Sequence, residues 1–276
     1  MSTRRGRLVR AAATVCVLAA ATAASAQFGR GGFFGFAARV AKAEDFDGRF
    51  HYCRAVYRQA RDGSGGSWRT DYPRADINMS IRLSELTRTS VSFDERRQPR
   101  HLLVNLGGDE LFGCPVVILS APGAASIDDR EAQRLREYLL KGGFLWTDDS
   151  WGTYQWEHWV SELRKVLPAS EFPIFDVPIT HPVFHTQFAV ADIPQIPNIG
   201  FYVRSGGRTS EQGADSAVPH MRAVADRTGR IMVLMTHNTD IGDSWEREGD
   251  DPSYFASFGP RGYALGINAF LYGLTH

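Results

Sequence analysis

Two short stretches concentrate side chains that can do chemistry. Asp148-Asp149-Ser150-Trp151-Gly152 places two carboxylates, a hydroxyl and an indole within five positions, and residues 236–245 (THNTDIGDSW) hold His237, Asn238, Asp240 and Asp243. A carboxylate beside an imidazole orients the ring and shifts both pKa values, as acid–base catalysis requires. The same residue types cap helices, and Asp149 or Ser150 fits the N-terminus of a helix starting near Tyr154. Both roles stand side by side at this level. The candidate catalytic set is Asp148, Asp149, His237 and Asp240. Candidate ligand contacts are Ser150, Trp151, Asn238, Trp245 and Arg208; the last follows Gly206-Gly207, where anion binding competes with a plain hairpin turn.

Other chemistries find less support. His181-Pro182-Val183-Phe184-His185 has the spacing of a helical zinc pair, but Pro182 and the neighbouring prolines argue against a helix. His181 is expected to hydrogen-bond its own loop into place. No cofactor is expected; a divalent metal shared by these histidines with Asp148, Asp149, His237 and Asp240 is the alternative. Ser150 lacks the small neighbours of a strained nucleophile turn. Cys114 precedes its strand and Cys53 sits within one, and neither stands at the chemical edge of a sheet. There is no dinucleotide fingerprint and no phosphate loop.

These loops need elements to hold them. Residues 116–119 form a short apolar, β-branched run bounded by Pro115 and by Ala121-Pro122-Gly123, as in a buried strand. A helix follows, with Ser126 expected as its cap, Asp128 and Asp129 in the first turn and Leu135, Tyr138 and Leu139 on one face. Gly142-Gly143 stops it, and a second strand, 144–147, delivers Asp148 and Asp149. In open α/β sheets the C-terminal strand ends are where ligands bind. The buried run 231–235 empties in the same way into the His237 loop. Further strands are expected at 50–58, 101–106, 201–203 and 221–224. Helices are expected at 75–86, 154–167 and 263–274, and a Pro-rich connection at 173–197. Alternation of strand and helix predicts an α/β fold, a three-layer sandwich with a mainly parallel sheet.

Residues 1–26 read as an export signal: Arg4, Arg5, Arg7 and Arg10, a short apolar core, then Ala24-Ser25-Ala26 as a cleavage site. The mature chain is therefore expected in the periplasm or secreted from a bacterium, with residues 27–45 as a Gly/Phe-rich flexible lead-in and 46–276 as one α/β domain. Cys53 and Cys114 can pair in an oxidising compartment or serve as small core residues. Lys and Arg total 31 against 31 Asp and Glu, which gives no basic surface for nucleic acid. No later segment is long and apolar enough to span a membrane.

Several motifs carry a likeness to a known family. These are Trp68-Arg69-Thr70-Asp71-Tyr72-Pro73, the run from Tyr138 through Gly142-Gly143 to Trp146, Asp148-Asp149-Ser150-Trp151-Gly152, His181-Pro182, Met235-Thr236-His237-Asn238-Thr239-Asp240 and Gly262-Tyr263-Ala264-Leu265-Gly266-Ile267-Asn268. Over nearly all of residues 46–276 the chain closely resembles the bacterial domain of unknown function 4159 family. The resemblance implies a flavodoxin-like fold similar to class I glutamine amidotransferases and, more closely, to ThuA-like sugar-utilisation proteins. Amidotransferases carry a Cys nucleophile on the turn after a central strand. If strand 144–147 is the counterpart, that turn holds Asp148 or Asp149, so amidotransferase activity does not carry over. The expected function is binding of a small polar ligand, such as a carbohydrate or cell-envelope fragment. A hydrolase built on the Asp/His set and a non-catalytic envelope scaffold are the alternatives.

Overall fold

The computed structural model describes residues 40–276. The expected export signal and residues 27–39 of the expected lead-in lie outside the described residues. Residues 40–45 depart from the lead-in reading. Val40 bridges Leu103, the Ala41 amide donates to the Leu103 carbonyl (2.7 Å), and Ala41 is buried. Two apolar residues beside an open strand edge gain more by covering it than by staying in water, so the folded domain starts before residue 46.

The strands are β1 (Tyr52–Val56), β2 (Arg58–Gln59), β3 (His101–Asn105), β4 (Val116–Ser120), β5 (Ala125–Ser126), β6 (Phe144–Asp148), β7 (Ile174–Asp176), β8 (His220–Ala225) and β9 (Ile231–His237). The α-helices are α1 (Arg74–Leu86), α2 (Asp129–Leu140), α3 (Gly152–Val166), α4 (Ile199–Arg204), α5 (Asp243–Glu246) and α6 (Pro252–Thr275). Seven strands form one sheet in the order β3-β1-β4-β6-β9-β8-β7. The first five run parallel, while β8 is antiparallel to both β9 and β7. Successive side chains of a strand face opposite sides, so each central strand feeds two cores. Val116, Ile118, Phe144 and Trp146 pack with α1 and α6, whereas Val117, Leu119 and Leu145 pack with α2 and α3. The chain is therefore an α/β protein with helices on both sides of a mostly parallel sheet. No helix among the described residues is long and apolar enough to cross a membrane.

Local signals explain most elements, and the exceptions have physical causes. Asp128, not Ser126, caps α2: its side chain accepts from the Glu131 amide while Glu131 reaches back to the Asp128 amide, a reciprocal capping box. Residues 201–203 lie in α4 rather than in a strand, because Asn198 Oδ1 accepts from the amides of Gly200 and Phe201 and so starts a helix. Helix α6 begins well before residue 263, at Pro252, with Asp251 as its cap.

Cys53 and Cys114 form a disulfide with their Cα atoms 6.1 Å apart, tying β1 to the segment that enters β4. The bond spans a sequence separation of 61. Closing a loop of that size restricts the unfolded chain enough for about 2–4 kcal/mol of stabilisation. Replacing both cysteines by Ala is expected to lower the free energy of urea unfolding by that amount. Unchanged stability, or two reactive thiols in the unfolded but unreduced protein, would contradict the pairing.

Candidate functional site

Three neighbouring parallel strands leave the sheet through the same unusual backbone. β4, β6 and β9 are followed by Ala121 (φ 50°), Asp149 (φ 62°) and Asn238 (φ 61°), all left-handed. Asp and Asn visit this region readily, whereas Ala pays roughly 1–2 kcal/mol for it. Hydrogen bonds lock the three turns together. The Ala121 amide donates to the Asp148 carbonyl (2.9 Å), the Asn238 amide donates to the Ser150 carbonyl (2.6 Å), and Ser150 bridges Thr239. Asp148 itself is a buried strut. One of its carboxylate oxygens accepts from Thr236 Oγ1 (2.5 Å) and the other from the Gly242 amide (2.8 Å), fixing the loop that carries Asp240 and Asp243.

A third loop arrives from β1. Arg54 is buried within that strand, and Nη1 donates to the carbonyls of Trp68 (3.2 Å) and Thr70 (2.8 Å) and to Ser120 Oγ (2.6 Å). Its Nε donates to both oxygens of Asp76 on α1 (3.0 and 3.1 Å), and Nη2 joins the same carboxylate. This clamp folds the segment after β2 back over the sheet rim and sets Asp71, itself left-handed (φ 63°), beside Asp240 and Asp243. Gly242 makes the approach possible, since a Cβ there would stand 2.4 Å from Asp71 Oδ2.

The result is a cleft of about 410 Å³ at the C-terminal strand ends. Asp71, Asp149, Asp240, Asp243, Glu211 and Glu246 line it, against one lining guanidinium, Arg247. Gln155, Asn198, Gln212, Thr70, Trp151 and the Gly65-Gly66 backbone complete the wall. Burial, then repulsion from Asp148 and Glu211, pushes the Asp149 carboxyl up to about 8. Burial, reinforced by neighbouring carboxylates, also drives Asp71, Asp240 and Asp243 well above the ordinary range, and Arg54 only partly offsets this at Asp71. Asp148 is raised by burial as well, against the lowering effect of its hydrogen bonds.

The two loops singled out from sequence do meet, but not through the histidine. Asp149, Trp151 and Asp240 line the cleft. Asp149 is not spent on capping α3. Asn238 Oδ1 takes the Gly152 amide (2.8 Å), and Asp215 takes the Thr153 amide (2.8 Å). His237 follows Thr236, whose side chain reaches Asp148, so strand alternation turns the imidazole to the opposite side of the sheet. There its ring stacks on His220 and packs at a tilt against Trp156, Nδ1 accepts from Arg222 (3.0 Å), and Nε2 donates to the Gly152 carbonyl (3.0 Å). Burial pulls its pKa down to about 4, with Arg222 adding to the effect.

The remaining candidates are placed away from the cleft wall. Ser150 and Asn238 are buried struts between loops, and Trp245 packs in the core against Trp146 and Phe270. Arg208 lies in an exposed turn, where its amide donates to Ser205 Oγ (3.1 Å). His181 Nδ1 accepts from the Val183 amide (3.2 Å), the loop-holding role expected of it. Asp71, Glu211 and Glu246 also line the cleft, and sequence spacing does not mark them as site residues. A charged Arg54 in the middle of an otherwise apolar strand was the available signal for Asp71, since a buried guanidinium demands polar partners brought from elsewhere.

Residues 54–274 match the family model described as Domain of unknown function (DUF4159), and the chain belongs to that family. No curated protein matches it.

Proposed function

For a family with no assigned activity, we propose that this chain binds a small polar, hydroxyl-rich ligand, a carbohydrate or cell-envelope fragment, in the cleft between the Asp71, Asp149 and Asp240 loops. The observation that carries the reading is the character of the cleft wall. Clustered carboxyls both accept hydrogen bonds and, while they hold their protons, donate them, so a complementary ligand is rich in hydroxyls, which do both, and carries no net negative charge. Gln155, Asn198 and Gln212 add carboxamides, and the Trp151 ring adds an apolar surface to the wall.

The finer fold assignment supports this location. Numbered among themselves, the five parallel strands run 2-1-3-4-5, the order of flavodoxin-like sheets, in which ligands sit outside the carboxyl ends near the switch point. That order also fits the amidotransferase-like and ThuA-like resemblance. A disulfide between Cys53 and Cys114 suits an oxidising compartment, in keeping with export behind a cleaved signal at Ala26.

One observation favours a second reading, hydrolysis. Asp149 sits on a left-handed turn at the end of a central strand with its carboxylate in the cleft, and non-glycine residues held in that region concentrate at reacting centres. Asp149 would then act as the acid or base without help from His237.

The test is isothermal titration with glucose, glucosamine, N-acetylglucosamine and their β-linked disaccharides at pH 7, followed by product analysis. Saturable binding that Asp149→Asn weakens tenfold or more is the expected result. Product formation lost in the same variant would move the assignment to the hydrolase. Absence of binding by every sugar, or binding indifferent to Asp149→Asn, would overturn the cleft reading.

A further inference from the structure

Asp71, Asp240 and Asp243 each present a carboxylate oxygen, and these three atoms lie within 4.8 Å of one another. All three residues are buried. Carboxylates so close together and out of water carry a large self-repulsion, and buried charges in proteins are paired, protonated or bound to a metal. The nearby cations do not neutralise them. Arg54 is committed to Asp76, Ser120 and two carbonyls. Arg247 stands 3.8 Å from Asp243 Oδ1 and shares itself with Glu246 and Asp250.

A separate observation points at a missing partner. Asp243 lines the cleft and is only 1 % exposed, and its Oδ2 has no hydrogen-bond partner among the described residues. The guanidinium closest to it, Arg247, faces Asp243 Oδ1 at 3.8 Å and turns to Glu246 and Asp250 instead of to this oxygen. A cation–oxygen distance of about 2.1–2.4 Å allows ligand oxygens to stand at most about 4.2–4.8 Å apart, which matches the observed spread. The donor set is oxygen alone, with no imidazole or thiolate, and that selects Mg²⁺, Ca²⁺ or Mn²⁺ over zinc or copper.

We infer that Asp71, Asp240 and Asp243 form a site for one hard divalent cation at the floor of the cleft. Resting on the ligand reading above, this site would offer its open coordination positions to a pair of ligand hydroxyls. The cation replaces the histidine-containing metal arrangement considered from sequence, since His237 faces the other side of the sheet.

The full-length mature protein, dialysed against EDTA and then freed of it, should be titrated with CaCl₂, MgCl₂ and MnCl₂ while heat and thermal midpoint are followed. The expected result is one cation per chain, with a midpoint rise of roughly 5–10 °C at a hundredfold excess over Kd. Asp71→Asn and Asp243→Asn keep the side-chain shape and remove one charge; each should weaken binding at least tenfold and abolish most of the shift. Asp109→Asn, on the exposed surface, should leave both unchanged. No stoichiometric binding of any of the three ions, or binding insensitive to both cleft variants, would overturn the site. Repeating the sugar titrations in EDTA separates the two ideas. Sugar binding that persists in EDTA, with a blank cation titration, removes the cation and keeps the cleft reading. Cation binding without any sugar removes the ligand reading and keeps the cation.

Discussion

Arg54→Met is expected to lower the free energy of unfolding by about 3–5 kcal/mol. The guanidinium is fully buried and joins a strand, a helix and a loop through Asp76, Ser120, Trp68 and Thr70. Deleting it leaves the Asp76 carboxylate buried without a counter-charge and strips donors from two carbonyls, and those orphaned groups account for the loss. Removing both charges, in Arg54→Met/Asp76→Leu, should recover at least half of it, because the uncompensated ion is then gone. Urea unfolding measures the effect through the midpoint at constant slope. Limited proteolysis should also find residues 61–70 cut faster in the single variant, since the clamp on that loop is released. A loss below about 1 kcal/mol would mean that the loop stands without Arg54.

Asp149→Asn acts in the opposite direction. In cation-free buffer at pH 8–9 the variant is expected to be more stable than the parent, by an amount on the order of 2–4 kcal/mol. The native carboxyl holds its proton up to about pH 8, while the unfolded one releases it near 3.8. Between those values the native state binds more protons than the unfolded state, so stability falls as pH rises and levels off above 8. Asparagine carries no such cost, keeps an oxygen for the Trp151 indole (3.1 Å in the parent) and tolerates the left-handed turn. His237 works against the trend over part of the range. Its pKa drops to about 4 from 6.5, so its contribution makes stability rise with pH between those values and then stop. The carboxylate decline should therefore stand alone between about pH 6.5 and 8. A flat stability profile there, identical for parent and variant, would contradict the electrostatic picture of the cleft. The pairing of gained stability with lost binding is what a functional site built on repulsion predicts.

The fold was legible where its signals are local. The unit β4–α2–β6 announces itself through a short apolar run, two acids in a first helical turn and a Gly-Gly stop, all within about three dozen residues. Asp149 and Asp240 followed, because a residue placed just after a parallel strand is placed at the ligand-binding edge whatever the rest of the chain does. What failed depends on contacts distant in sequence or on a one-residue choice of face. Sequence proximity groups His237 with the acids because its loop is theirs, yet side-chain alternation sends it to the far side of the sheet. Asp71 carries no signal of its own, because its position is set by Arg54, in a different element, through backbone carbonyls that no sequence pattern displays. Trp245, a candidate ligand contact by sequence, is core, since burying a large indole outweighs leaving it at a rim. Residues 201–203 looked like a strand because three apolar residues have no period of their own, and the deciding feature was the Asn198 cap just upstream.

The matching left-handed exits at Ala121, Asp149 and Asn238 have a corollary for the cleft. Each of these residues stands at the end of a strand whose interior is fully buried, yet only Asp149 reaches the cleft wall, while Ala121 and Asn238 are buried behind it. Ala121 is the informative case: it bears the conformational penalty while offering only a methyl group. A larger side chain at that single locus would press on Gly66 from behind the wall, since a Cβ on Gly66 would already stand 3.4 Å from the Ala121 methyl, so the size of residue 121 tunes the width of the opening.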